Sequence, residues 1–212
     1  MFSFVAGYVD VVGFIALSGL FTAHVTGNFV MIGVGLAGKS SALLAKLLAL
    51  PVFVVAVAAT RLAESGLVRT GRTPVPHLLL AEFILLLGFM AAGLHASPIE
   101  NPSAPMAIVA GMLGVAAMGI QNGLSRTVLA SLGPTTIMTG NTTQIIIDLV
   151  DLPFAEGTRR SELLTRLGKM APAVCGFAAG AILGALALSE ISMWSLLVPL
   201  VVLGALNFLL WE

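Results

Sequence analysis

Along the chain, long apolar stretches alternate with short polar clusters. The stretches run from about Phe2 to Ala37, Leu47 to Leu62, His77 to His95, Met106 to Val150, Met170 to Leu188 and Met193 to Leu210. Crossing a hydrocarbon core takes roughly 20 residues per helix. The Leu, Ala and Gly content suits helices and lacks the polar alternation of a barrel strand. The pattern predicts an all-α integral membrane protein. The first and fourth stretches are too long for one straight helix, and each is interrupted by polar and helix-weakening residues, so each is expected to be a broken segment. Two unbroken helices follow each one. The expected organisation is six transmembrane helices in two three-helix repeats, residues 1–96 and 106–212, joined by a linker at 97–105 that carries Pro98, Pro102 and Pro105 and no Lys or Arg. An apolar run beginning at residue 1 also predicts a first helix that extends further upstream.

One tripeptide marks both interruptions. Thr26-Gly27-Asn28 recurs as Thr139-Gly140-Asn141; Gly7-x-x-Asp10 precedes the first copy and Gly119-x-Gln121-Asn122 the second, with Asp10 16 positions before Thr26 and Asn122 17 before Thr139. A capping hydroxyl, a residue without a side chain and an amide that donates and accepts together suit a helix break. The unpaired N–H groups opening the following half-helix can hold an anion or a carbonyl. Inverted-repeat transporters use such breaks near the membrane midplane. Equally, the glycines can permit close helix crossing while the asparagines bond between helices, with no ligand.

Positive charge orients the chain, because Lys- and Arg-rich loops stay cytoplasmic. Arg61, Arg69 and Arg72, with Glu64, mark one aqueous loop, and Arg159, Arg160, Arg166 and Lys169 mark another, whereas 97–105 and 189–192 carry no base. Six crossings place both basic segments and the C terminus inside and make the repeat inverted. Lys39 and Lys46 then fall outside, against the rule. Eight crossings would give parallel repeats, but with the basic loops on opposite sides.

Ionisable residues in membrane segments are costly, so each is a candidate site. Inverted packing can bring Asp10 and Arg126 together across the pseudo-twofold axis; equally, Arg126 can snorkel toward an interface while Asp10 caps a helix near the membrane edge. Glu82, five residues after His77, is expected near the interface, as are Asp148 and Asp151. His24, where the second repeat has Ile137, is either a structural imidazole or a proton carrier. Gly176, Gly180 and Gly184 form a smooth packing face, within the subunit or between two. Candidate solute-contacting residues are Asp10, Thr26, Gly27, Asn28, Gln121, Asn122, Arg126, Thr139, Gly140 and Asn141.

Composition adds exclusions. With 58% hydrophobic and 9% charged residues, mean hydropathy +1.05 and zero net charge, nothing draws the chain toward nucleic acid. Cys175 is the single cysteine, so no intrachain disulfide forms. No nucleophile–base spacing, metal-ligand pattern or phosphate-cradling loop points to an enzyme, and no cofactor is implied.

Ala6-Gly7-Tyr8-Val9-Asp10-Val11-Val12-Gly13-Phe14, Gly19-Leu20-Phe21 and the two Thr-Gly-Asn copies, with Gly119-Ile120-Gln121-Asn122 and Met138, resemble the YoaK-like family of bacterial inner-membrane proteins over nearly the whole chain. The resemblance implies a six-helix inner-membrane protein and supplies no substrate and no catalytic residues. Two functions from different classes remain: a small-solute or ion transporter or channel built on the paired breaks, with a weak preference for an anion, and a non-transporting scaffold that docks a partner. The expected partners are the lipid bilayer, an unidentified small solute or ion, and a second copy in a homodimer.

Overall fold

The computed structural model describes residues 1–38, 42–130 and 135–211. Among the described residues are eight α-helices: α1 Phe2–Ala16, α2 Val25–Leu36, α3 Leu43–Arg69, α4 Pro74–Ala96, α5 Pro105–Arg126, α6 Met138–Asp151, α7 Gly157–Ile191 and α8 Leu197–Trp211. Among the described residues there is no strand. Leu43–Arg69, Pro74–Ala96, Pro105–Arg126 and Gly157–Leu210 are long and apolar enough to cross a membrane, and α1 and α2 are shorter apolar helices. This is the architecture of a helical membrane protein.

Local chemistry explains the boundaries. Pro74 and Pro105 open α4 and α5, where a missing N–H costs nothing. Helix α1 ends in a tight wrap, Gly19 N–H bonding the Phe14 carbonyl at 2.7 Å, with Ser18 and Gly19 at φ 53° and 88°. That left-handed step favours glycine and turns the chain back along the helix it has just left.

Several expected boundaries shift. Helix α3 begins before Lys46 and continues through Arg61 and Glu64 to Arg69, so these three belong to a helix and not to loops. The basic segment 159–169 is likewise the first third of α7. Charges near a helix end read as loop in a hydropathy pattern, although a helix can project its end beyond the hydrocarbon. The cluster around Lys39 lies outside the described residues. Lys46 is fully buried, its ammonium donating to the Ser18 carbonyl at 2.9 Å, close to the left-handed turn that ends α1.

The two halves interlock. Helix α1 lies against α7 and α5 against α3, while α4 packs on α5 and α8. Glycines set the spacing. On α7, Gly180 faces Phe4 and the Tyr8 nitrogen, and Gly184 faces Tyr8 and Val11. On α5, Gly119 faces Phe53 and Ala56, and Gly123 faces Thr60. The rising numbers show α1 and α7 running in the same direction, and α5 and α3 likewise. Gly93 meets Met193 while Gly204 meets Phe83, so α4 and α8 are antiparallel. The α7 glycine face is therefore filled from within the chain, by α1. Glu82 is fully buried on α4, and neither carboxyl oxygen has a hydrogen-bond partner among the described residues.

Candidate functional site at the paired breaks

The first break folds back on α1. After the left-handed turn, residues 20–24 return toward the middle of the helix, where Asp10 is buried. Asp10 Oδ1 accepts the Ala23 N–H at 2.7 Å and the Thr22 hydroxyl at 3.4 Å, and Oδ2 pairs with His24 Nδ1 at 2.6 Å. The loop is closed by Asn28, which accepts the Phe21 N–H at 3.0 Å and donates to the Phe21 carbonyl at 2.7 Å. One side chain thereby satisfies both backbone groups of a residue in an apolar setting, where each unpaired group costs about 1–3 kcal/mol.

The second break uses the same plan with other atoms. Asn122, the counterpart of Asp10, accepts the Thr136 hydroxyl through Oδ1 at 2.7 Å and donates to the Met118 carbonyl at 3.0 Å. Gln121 donates to the Phe2 carbonyl at 2.9 Å and contacts Thr135 at 3.4 Å, tying the second break to the start of α1. Asn141 is buried like Asn28. In both copies Thr-Gly-Asn occupies the second to fourth residues of the half-helix, α2 or α6. The threonine therefore does not cap, as its residue type suggested. The N-cap positions are His24 and Ile137, and the N–H groups of the first turn are left to face what lies beyond the helix start.

Those two helix starts border one cavity of about 360 Å³, lined by Ala23 to Thr26, Phe53, Asn122 and Thr136 to Thr139. The His24 imidazole reaches across to the Thr136 backbone, so the breaks touch here. A second cavity, about 350 Å³, lies on the Asp10 side and shares His24 and Thr26 with the first; Phe14, Phe21 and Phe177 make it largely apolar. A third, also about 350 Å³, lies between α3 and α5. It shares Phe53, Asn122 and Ile137 with the first and holds Arg61, Glu64 and Arg126. Volumes of this size suit small ligands.

The candidate residues thus fall into groups. Asp10, Thr26 and Gly27 line the Asp10-side cavity; Thr26, Asn122 and Thr139 line the central one; Asn122 and Arg126 line the α3–α5 cavity. Asn28 and Gln121 brace backbone instead. An Asp10–Arg126 pair does not form: Asp10 pairs with His24, and Arg126, a turn beyond Asn122, lies in the α3–α5 cavity. Asp148 is fully buried and held by Arg166 at 2.7 and 2.5 Å, while Asp151 pairs with Arg159 at 2.9 Å. Glu64 and Thr136 also line these cavities, beyond the residues to which the sequence pattern points. Thr136 could have been found as the residue aligned with Ala23, three before each Thr-Gly-Asn.

A protein family described as being of unknown function, DUF1275, matches residues 1–209. The chain belongs to that family. No curated protein and no solved structure matches this DUF1275 chain at a significant level. Membership in DUF1275 carries no activity with it, so function rests on the site.

Proposed function

We propose that the protein is a transporter or channel for a small solute or ion, with its site where the two breaks meet. The observation that carries this is the central cavity bordered by the first turns of both α2 and α6. Irregular backbone is tolerated at membrane depth where it lines a polar space. Two half-helix starts turned toward one cavity provide unpaired N–H donors for a solute carbonyl or anion. The flanking cavities extend this space on both sides through shared walls. They supply room for a path through the molecule.

The topology we infer is six crossings, with α1–α2 and α5–α6 each making one broken crossing. The exchange of partners supports an inverted pair of units: α1 packs on α7 as its counterpart α5 packs on α3, and α4 packs on its own counterpart α8 in antiparallel fashion. Gly7 faces the Phe177 carbonyl on α7, and Gly119, its counterpart, faces Phe53 on α3. The basic start of α7 favours a cytoplasmic C terminus. With the resemblance to YoaK-like proteins, this supports a bacterial inner-membrane location.

The test is solute-driven swelling of proteoliposomes in isotonic salts of small carboxylates and in neutral amino acids. Swelling faster than in protein-free vesicles, and slowed when Thr139 is replaced by a bulky residue in a still-folded protein, is the expected result. Vesicles that swell no faster with protein than without it, across the series, would favour the scaffold function, and copurifying partners would then be sought.

A further inference from the structure

The α3–α5 cavity carries chemistry that neither Thr-Gly-Asn copy supplies. Its lining includes two exposed arginines, Arg61 and Arg126, and one buried carboxylate, Glu64. Arg61 bonds Glu64 Oε1 at 2.6 Å. Glu64 is 6% exposed, and its other oxygen, Oε2, is buried with no hydrogen-bond partner. Arg126 takes part in no hydrogen bond or ion pair among the described residues. The helix register brings the two together. Gly123 on α5 faces Thr60 on α3, and the helices run in parallel, so one turn further on Arg126 and Glu64 stand on facing turns.

Formally the cavity is one positive charge in excess. A guanidinium without a partner matches a carboxylate through two parallel N–H bonds. An ionised oxygen with no donor needs an N–H or O–H, and a buried one strongly so. The equivalent cavity on the Asp10 side has Phe14 where Arg126 stands, by the same spacing of seven residues from Gly7 and Gly119, so this charge pattern belongs to one side only.

We infer that this cavity binds a small carboxylate that carries an N–H or O–H donor on the adjacent carbon. Its carboxylate meets Arg126 and its donor meets Glu64 Oε2. The hydroxy acids and the amino acids share this chemistry. The inference rests on the reading of the central cavity as a solute path, which this cavity adjoins through Phe53, Asn122 and Ile137. It names the substrate class and the side from which the solute is recognised.

Thermal unfolding of the purified protein in detergent tests it, with glycine, lactate, acetate and ethanolamine as probes. A ligand that binds only the native state raises the melting temperature as its concentration rises. Glycine or lactate should give such a rise, acetate a rise only at concentrations at least tenfold higher, and ethanolamine none. A response to glycine alone assigns the site to amino acids, and a response to lactate alone to hydroxy acids. In Arg126→Gln the response should vanish, and in Arg126→Lys it should weaken. Glu64→Gln, which keeps the shape and the bond to Arg61, should erase the advantage of glycine or lactate over acetate. No response from any carboxylate, or a response unchanged in Arg126→Gln, would overturn the inference. The swelling assay separates the two levels. Flux that is slowed by substitution at Thr139 and indifferent to Arg126→Gln removes this site and leaves the central path. Binding that needs Arg126 without any flux keeps the site and removes transport.

Discussion

A methyl group at Gly180 makes a sharp test of the packing that holds the site together. A Cβ there would overlap the Phe4 carbonyl and lie 2.9 Å from the Phe4 carbonyl carbon and 3.0 Å from the Tyr8 nitrogen. Carbon contacts settle at about 3.5–4.0 Å, so α1 and α7 must separate by roughly 0.5–1 Å. Backbone atoms cannot swing aside as a side-chain end can. Overpacking of this kind costs about 1–3 kcal/mol, partly offset by about 1 kcal/mol of helix propensity gained by Gly→Ala. At roughly 2–4 °C per kcal/mol for a chain of this size, Gly180→Ala should lower the melting temperature by several degrees. Gly66 on α3 has nothing within 4 Å of its Cβ position. Gly66→Ala gains the propensity without the clash and should raise the melting temperature by about 2–4 °C. Circular dichroism of both variants in detergent reads the difference. Two shifts of the same sign and size would refute the argument that α1 lies on α7 through bare glycine backbone.

Further outcomes follow from the breaks and the core. Asn28→Ala strands both backbone groups of Phe21 and should cost about 2–4 kcal/mol in unfolding experiments, whereas Thr142→Ala, on the exposed face of α6, should cost under about 0.5 kcal/mol. His24→Ile removes a partner of buried Asp10 and should destabilise by about 3 kcal/mol. Adding Asp10→Asn, which rebuilds the Asn122 and Ile137 combination, should recover part of that loss, with a coupling of about 1–3 kcal/mol in a double-mutant cycle. Glu82→Met exchanges a buried carboxyl without a partner for an apolar chain and should be neutral or stabilising by about 1–3 kcal/mol in the same assay.

The residues that locate the breaks were legible because polarity inside an apolar run has few explanations. Thr-Gly-Asn, Asp10 and Asn122 all sit at the two breaks, and the motif keeps the same register in α2 and α6 although its distance from the upstream motif differs by one residue. What those residues touch was not legible. The Asp10–His24 pair depends on a left-handed turn at Ser18 and Gly19 that sends the loop back along α1, and no periodicity records such a turn. The burial of Glu82 was not legible either, because hydropathy treats lipid-facing and protein-facing surfaces alike and only tertiary packing distinguishes them. Glu64 was hidden for a related reason. Its pairing with Arg61 three residues earlier is an ordinary helical spacing, yet beside Arg69 and Arg72 it reads as part of a charged loop.

The central claim is that water and a small solute reach the space between the first turns of α2 and α6. Thr26→Cys and Thr139→Cys, each in a Cys175→Ala background, place a thiol at either side of it. In native membranes both should react with a small water-soluble thiol reagent, and a bound carboxylate should slow both reactions together. Thiols that stay silent in the folded protein and react only after denaturation would contradict a solute path through the paired breaks.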